Sequence, residues 1–102
     1  MNYIIIEVPD QNDSMSRIRL GDQLCQIRFT YNDTGGYWSF GVYDSLGFPI
    51  WIGAKIVPNF PLNLSAGANL PKGIFCAFTD KDTIGRTDFI QGKAQFAFIP
   101  DQ

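Results

Sequence analysis

The chain has 102 residues and a formal net charge of −2 at pH 7, a size that allows one domain with one core. Hydrophobic residues make up 45% and charged residues 18%, a composition that excludes a disordered tail. Its eight basic residues are scattered along the sequence, which argues against nucleic-acid binding, and no apolar run is long enough for a membrane helix. We therefore expect residues 1–102 to form a single domain.

Short runs of alternating polar and apolar residues, bounded by Gly, Pro, Asn and Asp, predict an all-β chain. Their hairpin spacing predicts a small antiparallel β-sandwich or a partly open β-barrel of about seven short strands. Residues 59–72 have no clear period and are predicted to be a long loop. The predicted strands lie at residues 3–8, 17–20, 23–31, 37–43, 49–57, 73–79 and 93–99.

Alternation within each strand predicts which side chains face the core. Cys25 and Cys76 are among them, as small buried apolar groups. The N-terminus has no visible signal peptide, so we expect folding in the cytoplasm with both thiols reduced. The predicted core side chains are Cys25, Ile27, Phe29, Tyr31, Trp38, Phe40, Val42, Ile50, Ile52, Ala54, Ile56, Ile74, Cys76, Phe78, Ala94, Phe96 and Phe98.

The same alternation turns four aromatic side chains outward. Trp51 and Phe75 each lie between two predicted core residues, and Tyr37 and Tyr43 flank the inward positions of their strand. Several exposed aromatic rings on one sheet face mark an interface, where Trp and Tyr commonly act as anchors. We therefore predict an interface at Tyr37, Tyr43, Trp51 and Phe75; the alternative is that a bulge or a second packed layer buries these rings.

No catalytic or metal-binding pattern is visible in the sequence. The chain has no histidine, so Ser-His and Cys-His nucleophiles are excluded, and two separated cysteines do not make a zinc site. Asp80, Asp82 and Asp88 could gather Ca²⁺, but Lys81 lies among them and the spacing departs from an EF-hand, which favours a solvated turn. Arg86 and Asp88 more often fix a turn than perform catalysis. We predict no enzymatic activity, no metal and no cofactor.

A series of short landmarks gives the sequence a family resemblance. In chain order they are Trp38, Tyr43-Asp44, Gly47-Phe48-Pro49-Ile50, Gly53, Ile56-Val57-Pro58, Leu62, Leu70-Pro71, Gly73-Ile74-Phe75, Gly85-Arg86 and Asp88-Phe89. Their order and spacing, from about Tyr3 to Ile99, resemble those of the baseplate plug-like proteins of contractile-tailed phages and prophages, a cyanophage type among them. Phe89 departs from this pattern, which commonly has an aliphatic residue there, and residues 59–69 match less well.

The resemblance implies a structural virion protein of the tail baseplate, made in the host cytoplasm and placed at the hub end of the tail tube. Such a protein would form a homo-oligomer, contact hub, tube or spike proteins and help close the tube, with residues 59–71 as a lumen loop or contact surface. The alternative is a small carbohydrate- or peptide-binding β module, in which Trp38, Trp51 or Tyr37 would stack on the ligand.

Overall fold

Two antiparallel β-sheets, with no helix, account for the secondary structure of residues 3–21, 23–63 and 72–100, which the computed structural model describes. One sheet has the strand order β2-β3-β4-β5 and the other β1-β7-β6. The sheets pack face to face and do not close into a barrel, so of the two predicted architectures the β-sandwich is confirmed. The strands are β1 (Ile4–Ile6), β2 (Asp13–Leu20), β3 (Gln23–Asn32), β4 (Tyr37–Tyr43), β5 (Pro49–Lys55), β6 (Gly73–Thr79) and β7 (Ala94–Pro100).

Phenylalanine rings from both sheets fill the space between them. The Phe40 ring lies 4.9 Å from that of Phe96 and 5.3 Å from that of Phe75, and Phe29 meets Phe96 edge to face at 5.3 Å. Edge-to-face and tilted pairs of this kind add about 0.5–1.5 kcal/mol each beyond the area that they bury. The predicted inward positions of β3, β4 and β7 are therefore confirmed.

Strand β2 is longer than the sequence predicts. It begins at Asp13, not at residue 17, and Asp13 lies opposite Thr30 of β3. Residues 13–16 carry only one apolar side chain, so they give no alternation signal. Pairing with the strongly alternating β3 extends the strand, and the ion pair between Asp13 and Arg28 supports the extension at a distance of 2.6 Å.

The predicted orientation of β6 is wrong. Phe75 and Ala77 face the core, where Phe75 lies opposite Phe98, while Phe78 is 42% exposed. Because β6 is apolar on both faces, alternation alone does not reveal which set points inward. Cys76 is nevertheless buried, as is Cys25, and both are free thiols whose pKa is raised chiefly by burial.

Strand β5 departs from simple alternation because it is bulged. Between Phe40↔Ala54 and Tyr43↔Pro49, β5 has two more residues than β4. Gly53, with φ +74°, takes up part of the bend. Ile52 is therefore 65% exposed, and its predicted core position is wrong.

The chain after β5 closes the outer edge of β6. Leu62 and Phe75 exchange backbone hydrogen bonds of 2.8 and 2.9 Å. The Asn59 side-chain amide donates to the Thr79 carbonyl, and its oxygen accepts a hydrogen bond from the Thr79 N–H. This edge is thus paired rather than open. Of the predicted lumen loop at 59–71, residues 64–71 lie outside the described residues, as do the landmarks Leu70 and Pro71.

Candidate assembly interface

The turn between β4 and β5 is fixed by one carboxylate. Asp44 Oδ1 accepts hydrogen bonds from the backbone N–H groups of Leu46 and Phe48, both at 2.9 Å. The Asp44 N–H donates to the Phe48 carbonyl at 2.9 Å, and the Gly47 N–H donates to the Asp44 carbonyl at 3.0 Å. An aspartate that bonds its own turn in this way holds the loop in one conformation. The side chains at the tip are therefore presented from a rigid base.

Those side chains are apolar and exposed. Leu46 is 81% exposed, Phe48 65% and Trp51 38%, and Ile52 and Pro49 are exposed on the same hairpin. Exposed apolar groups gathered on one element are typical of an interaction surface, whereas single ones are ordinary. We call Leu46, Phe48, Pro49, Trp51 and Ile52 the hairpin edge.

The outer face of the four-stranded sheet adjoins the hairpin edge. A depression of about 320 Å³ lies between Arg28, Thr30, Tyr43 and Ile52. Gly41 forms its floor, and a Cβ there would lie 3.0 Å from the Trp51 carbonyl oxygen. The missing side chain thus lets the bulged β5 approach β4 closely. The side chains of this outer face are Asp13, Met15, Arg17, Arg19, Leu24, Gln26, Arg28, Thr30, Tyr37, Ser39, Tyr43, Ile52 and Lys55.

Arg28 is held at the centre of the outer face. Its Nε and Nη2 donate to the two carboxylate oxygens of Asp13 at 2.8 and 2.6 Å, a bidentate pair. These hydrogen bonds lower the pKa of Asp13 and raise that of Arg28, to which the Tyr43 hydroxyl also contributes. Both charges therefore persist near neutral pH.

Three of the four predicted interface residues lie on the four-stranded sheet, Tyr37 and Tyr43 on its outer face and Trp51 in the hairpin edge. Tyr43 and Tyr37 are half-buried at opposite ends of β4, and Trp51 is on the neighbouring strand. The Lys55 ammonium lies over the Tyr37 ring, 4.6 Å from the ring centroid. Phe75 is 1% exposed and lies 5.3 Å from Phe40 in the core, so its predicted outward orientation is wrong and it is not part of this surface.

Sequence reasoning missed Leu46, Phe48 and Ile52. The signal for the first two was present, because apolar residues next to a Gly in a tight turn have no core to enter. The exposure of Ile52 follows from the bulge, and the one residue in the sequence that indicates this bulge is Gly53.

Trp38 is unsuited to stacking on a ligand, since it is 1% exposed. Its indole Nε1–H donates to the Gly85 carbonyl at 3.1 Å, and the Arg86 guanidinium lies 5.6 Å from its ring centroid. Arg86 also forms an ion pair with Asp10 at 2.9 Å. Trp38 therefore anchors the turn at residues 80–93 to the core.

Asp88 organises the same turn from within. Its carboxylate accepts two bonds from the Lys81 ammonium, at 2.8 and 2.7 Å, and one from the Gly85 N–H at 2.6 Å. The Lys81 bond, followed by that of Gly85, lowers the pKa of Asp88. Asp80 and Asp82 are exposed as a solvated turn predicts, but Asp88 is 4% exposed and belongs to the structure of the turn.

The described residues contain no group of three His, Cys, Asp or Glu side chains placed to hold a metal ion. In the same part of the chain, no helix has the length and apolarity to cross a membrane. What the sandwich does offer is an exposed apolar hairpin beside a charged sheet face. These are the features of a protein that works by contact with other proteins.

A comparison with known protein families identifies the family to which this chain belongs. The model of the family described as cyanophage baseplate Pam3 plug gp18 matches residues 1–101. The chain belongs to this family of phage baseplate plug proteins, as the order of its landmarks predicted. It is a structural component of the baseplate in the virion tail, a role that implies no enzymatic activity. No curated protein matches the sequence.

Proposed function

We propose that the chain acts as a single-domain plug at the hub end of the tail tube, where it contacts hub, tube or spike proteins and copies of itself. Synthesis in the host cytoplasm agrees with two free, buried thiols. The exposed hairpin edge carries the proposal, because a tip that displays Leu46 and Phe48 on a hydrogen-bonded base loses little entropy on docking. No observation favours the carbohydrate- or peptide-binding alternative.

The first prediction concerns Phe48 and Trp51. Phe48→Ser and Trp51→Ala remove large apolar anchors without touching the core, so each variant should fold normally and lose tail binding. Anchors of this kind contribute about 2 kcal/mol, or roughly 30-fold in affinity. The measurement is the amount of tagged chain that co-purifies with assembled tails when wild type and variant compete.

Ile90→Ser is the matched control, because Ile90 is 50% exposed but lies on the 80–93 turn, away from the hairpin edge. It should enter tails as the wild type does. If Phe48→Ser and Trp51→Ala entered tails at the wild-type level, the hairpin edge would not be the docking surface.

A further inference from the structure

The fold separates charges that the sequence leaves scattered. Arg17, Arg19, Arg28 and Lys55 all lie on the outer face of the four-stranded sheet, together with one acidic residue, Asp13. The face therefore has a formal charge of +3. The rest of the chain has four basic and nine acidic residues, a charge of −5.

Strand pairing places these cations across the whole face. One cross-strand row consists of Asp13, Thr30, Ser39 and Lys55, and a second row, four residues further along β2, consists of Arg17, Gln26 and Tyr43. Because Asp13 is bound to Arg28 by two hydrogen bonds, the one acidic side chain of the face is held at that guanidinium. This sheet face presents positive charge to whatever contacts it.

Negative charge is exposed at one end of the sandwich, on residues that we call the acidic end: Asp33, Asp80 and Asp82. Asp82 lines a depression of about 280 Å³ together with Gly35 and Gly36, so this turn lies beside the β3–β4 hairpin that carries Asp33. Lys55 lines the same depression, so the acidic end meets the outer face there, and Arg17 and Arg19 on β2 are cations of the face outside it. Within the described residues, Asp10 and Asp88 pair with Arg86 and Lys81, whereas the three carboxylates of the acidic end form no ion pair.

We propose that the outer face of one copy binds the acidic end of a second copy. Contact between two outer faces would oppose +3 to +3, so the symmetric arrangement is disfavoured, while face against acidic end joins opposite charges. Since the two surfaces differ, each copy can bind one neighbour through its face and another through its end, a heterologous contact of the kind that builds rings. This inference rests on the proposed self-association and names its surfaces.

The test uses two charge-reversed chains and analytical ultracentrifugation of each at several protein and salt concentrations. The face variant is Arg17→Glu with Arg19→Glu, and the end variant is Asp80→Lys with Asp82→Lys. Lys55 is retained because it also lines the depression beside Asp82, and Arg28 because it holds Asp13. Each variant alone should self-associate at least tenfold more weakly than wild type. An equimolar mixture should regain self-association as an assembly in which the two chains alternate, because each variant presents the surfaces whose charge complements those of the other.

A chain with all four changes has both signs exchanged and should recover self-association. Glu7→Lys and Lys72→Glu, exposed residues outside both surfaces, serve as controls and should leave it unchanged. Wild-type association should weaken as salt rises, since exposed charges are screened over about 10 Å at 0.1 M.

Self-association of both charge-reversed variants at the wild-type level would overturn the proposal. So would a wild-type chain that is monomeric at every concentration. If that monomer entered tails normally but the face variant did not, the outer face would bind an acidic surface of another tail protein. Entry of Phe48→Ser into tails is scored separately, so failure of this contact and failure of hairpin docking are distinguishable.

Discussion

Asp88 shows how single side chains set the shape of this small sandwich. It sits in a polar turn, where carboxylates are usually solvated, yet it is almost fully buried and accepts bonds from Lys81 and Gly85. The neighbouring Gly85 carbonyl accepts the Trp38 indole bond, so the turn is joined to the core at adjacent points. The Gly85-Arg86 and Asp88-Phe89 landmarks are therefore structural in this chain.

We predict that Asp88→Ala lowers the free energy of unfolding by about 2 kcal/mol, because the Gly85 N–H and the Lys81 ammonium lose a charged acceptor. Urea denaturation measures this. Asp82→Ala, in the same turn but exposed, should change stability by less than about 0.5 kcal/mol. Equal effects of the two substitutions would show that the Asp88 contacts contribute little.

A comparison of wild type with Asp88→Ala at several pH values also reports the titration of Asp88. Its pKa in the folded chain lies below the ordinary value of 3.8, so its stabilising effect is present above pH 3.8 and is lost as pH falls through the lowered value. The stability difference between wild type and Asp88→Ala should thus be constant near neutral pH and shrink in acid. A difference that grew in acid would contradict this assignment.

At the scale of elements, the edge strand β5 differs most from a regular strand. Gly53 adopts φ +74° within it, and a Cβ there would have open space around it. A substitution is therefore opposed by backbone conformation and not by a clash. This bulge exposes Ile52 and gives the hairpin edge its outline.

Gly53→Ala should accordingly destabilise the fold by about 1 kcal/mol, measured by denaturant unfolding. Gly53→Asn should cost less, since asparagine enters the left-handed region more readily. In a regular strand, replacement of glycine by alanine would stabilise. A more stable Gly53→Ala chain would therefore argue against the bulge.

The sequence predicts strands well where one face is polar. β3 and β4 follow this rule, and the bounds of β4 and β6 agree with the predicted 37–43 and 73–79. The predicted orientation of β6 was wrong, because both of its faces are apolar and pairing with β7 places Phe75 in the core. For the candidate interface, alternation predicted that Tyr37, Tyr43 and Trp51 lie outside the core, but it gave no prediction for Phe48, because turn residues have no alternation to interpret.

At the scale of the whole molecule, two properties emerge only from the fold. Four of the eight basic residues, scattered in sequence, gather on one sheet face because β2, β3 and β5 bring their outer positions together. The exposed apolar residues of the β4–β5 hairpin lie next to that face. A plug that must be added to a baseplate needs such surfaces and a stable core, and both are present in about a hundred residues.

Side-chain oxidative footprinting of Phe48 and Trp51, in the isolated chain and in assembled tails, tests most directly whether the plug docks through its hairpin edge. We predict that both residues are labelled readily in the isolated chain and are protected in the tail, while Ile90 reacts equally in the two states. Equal labelling of Phe48 and Trp51 in both states, with protection at Ile90 instead, would contradict the account.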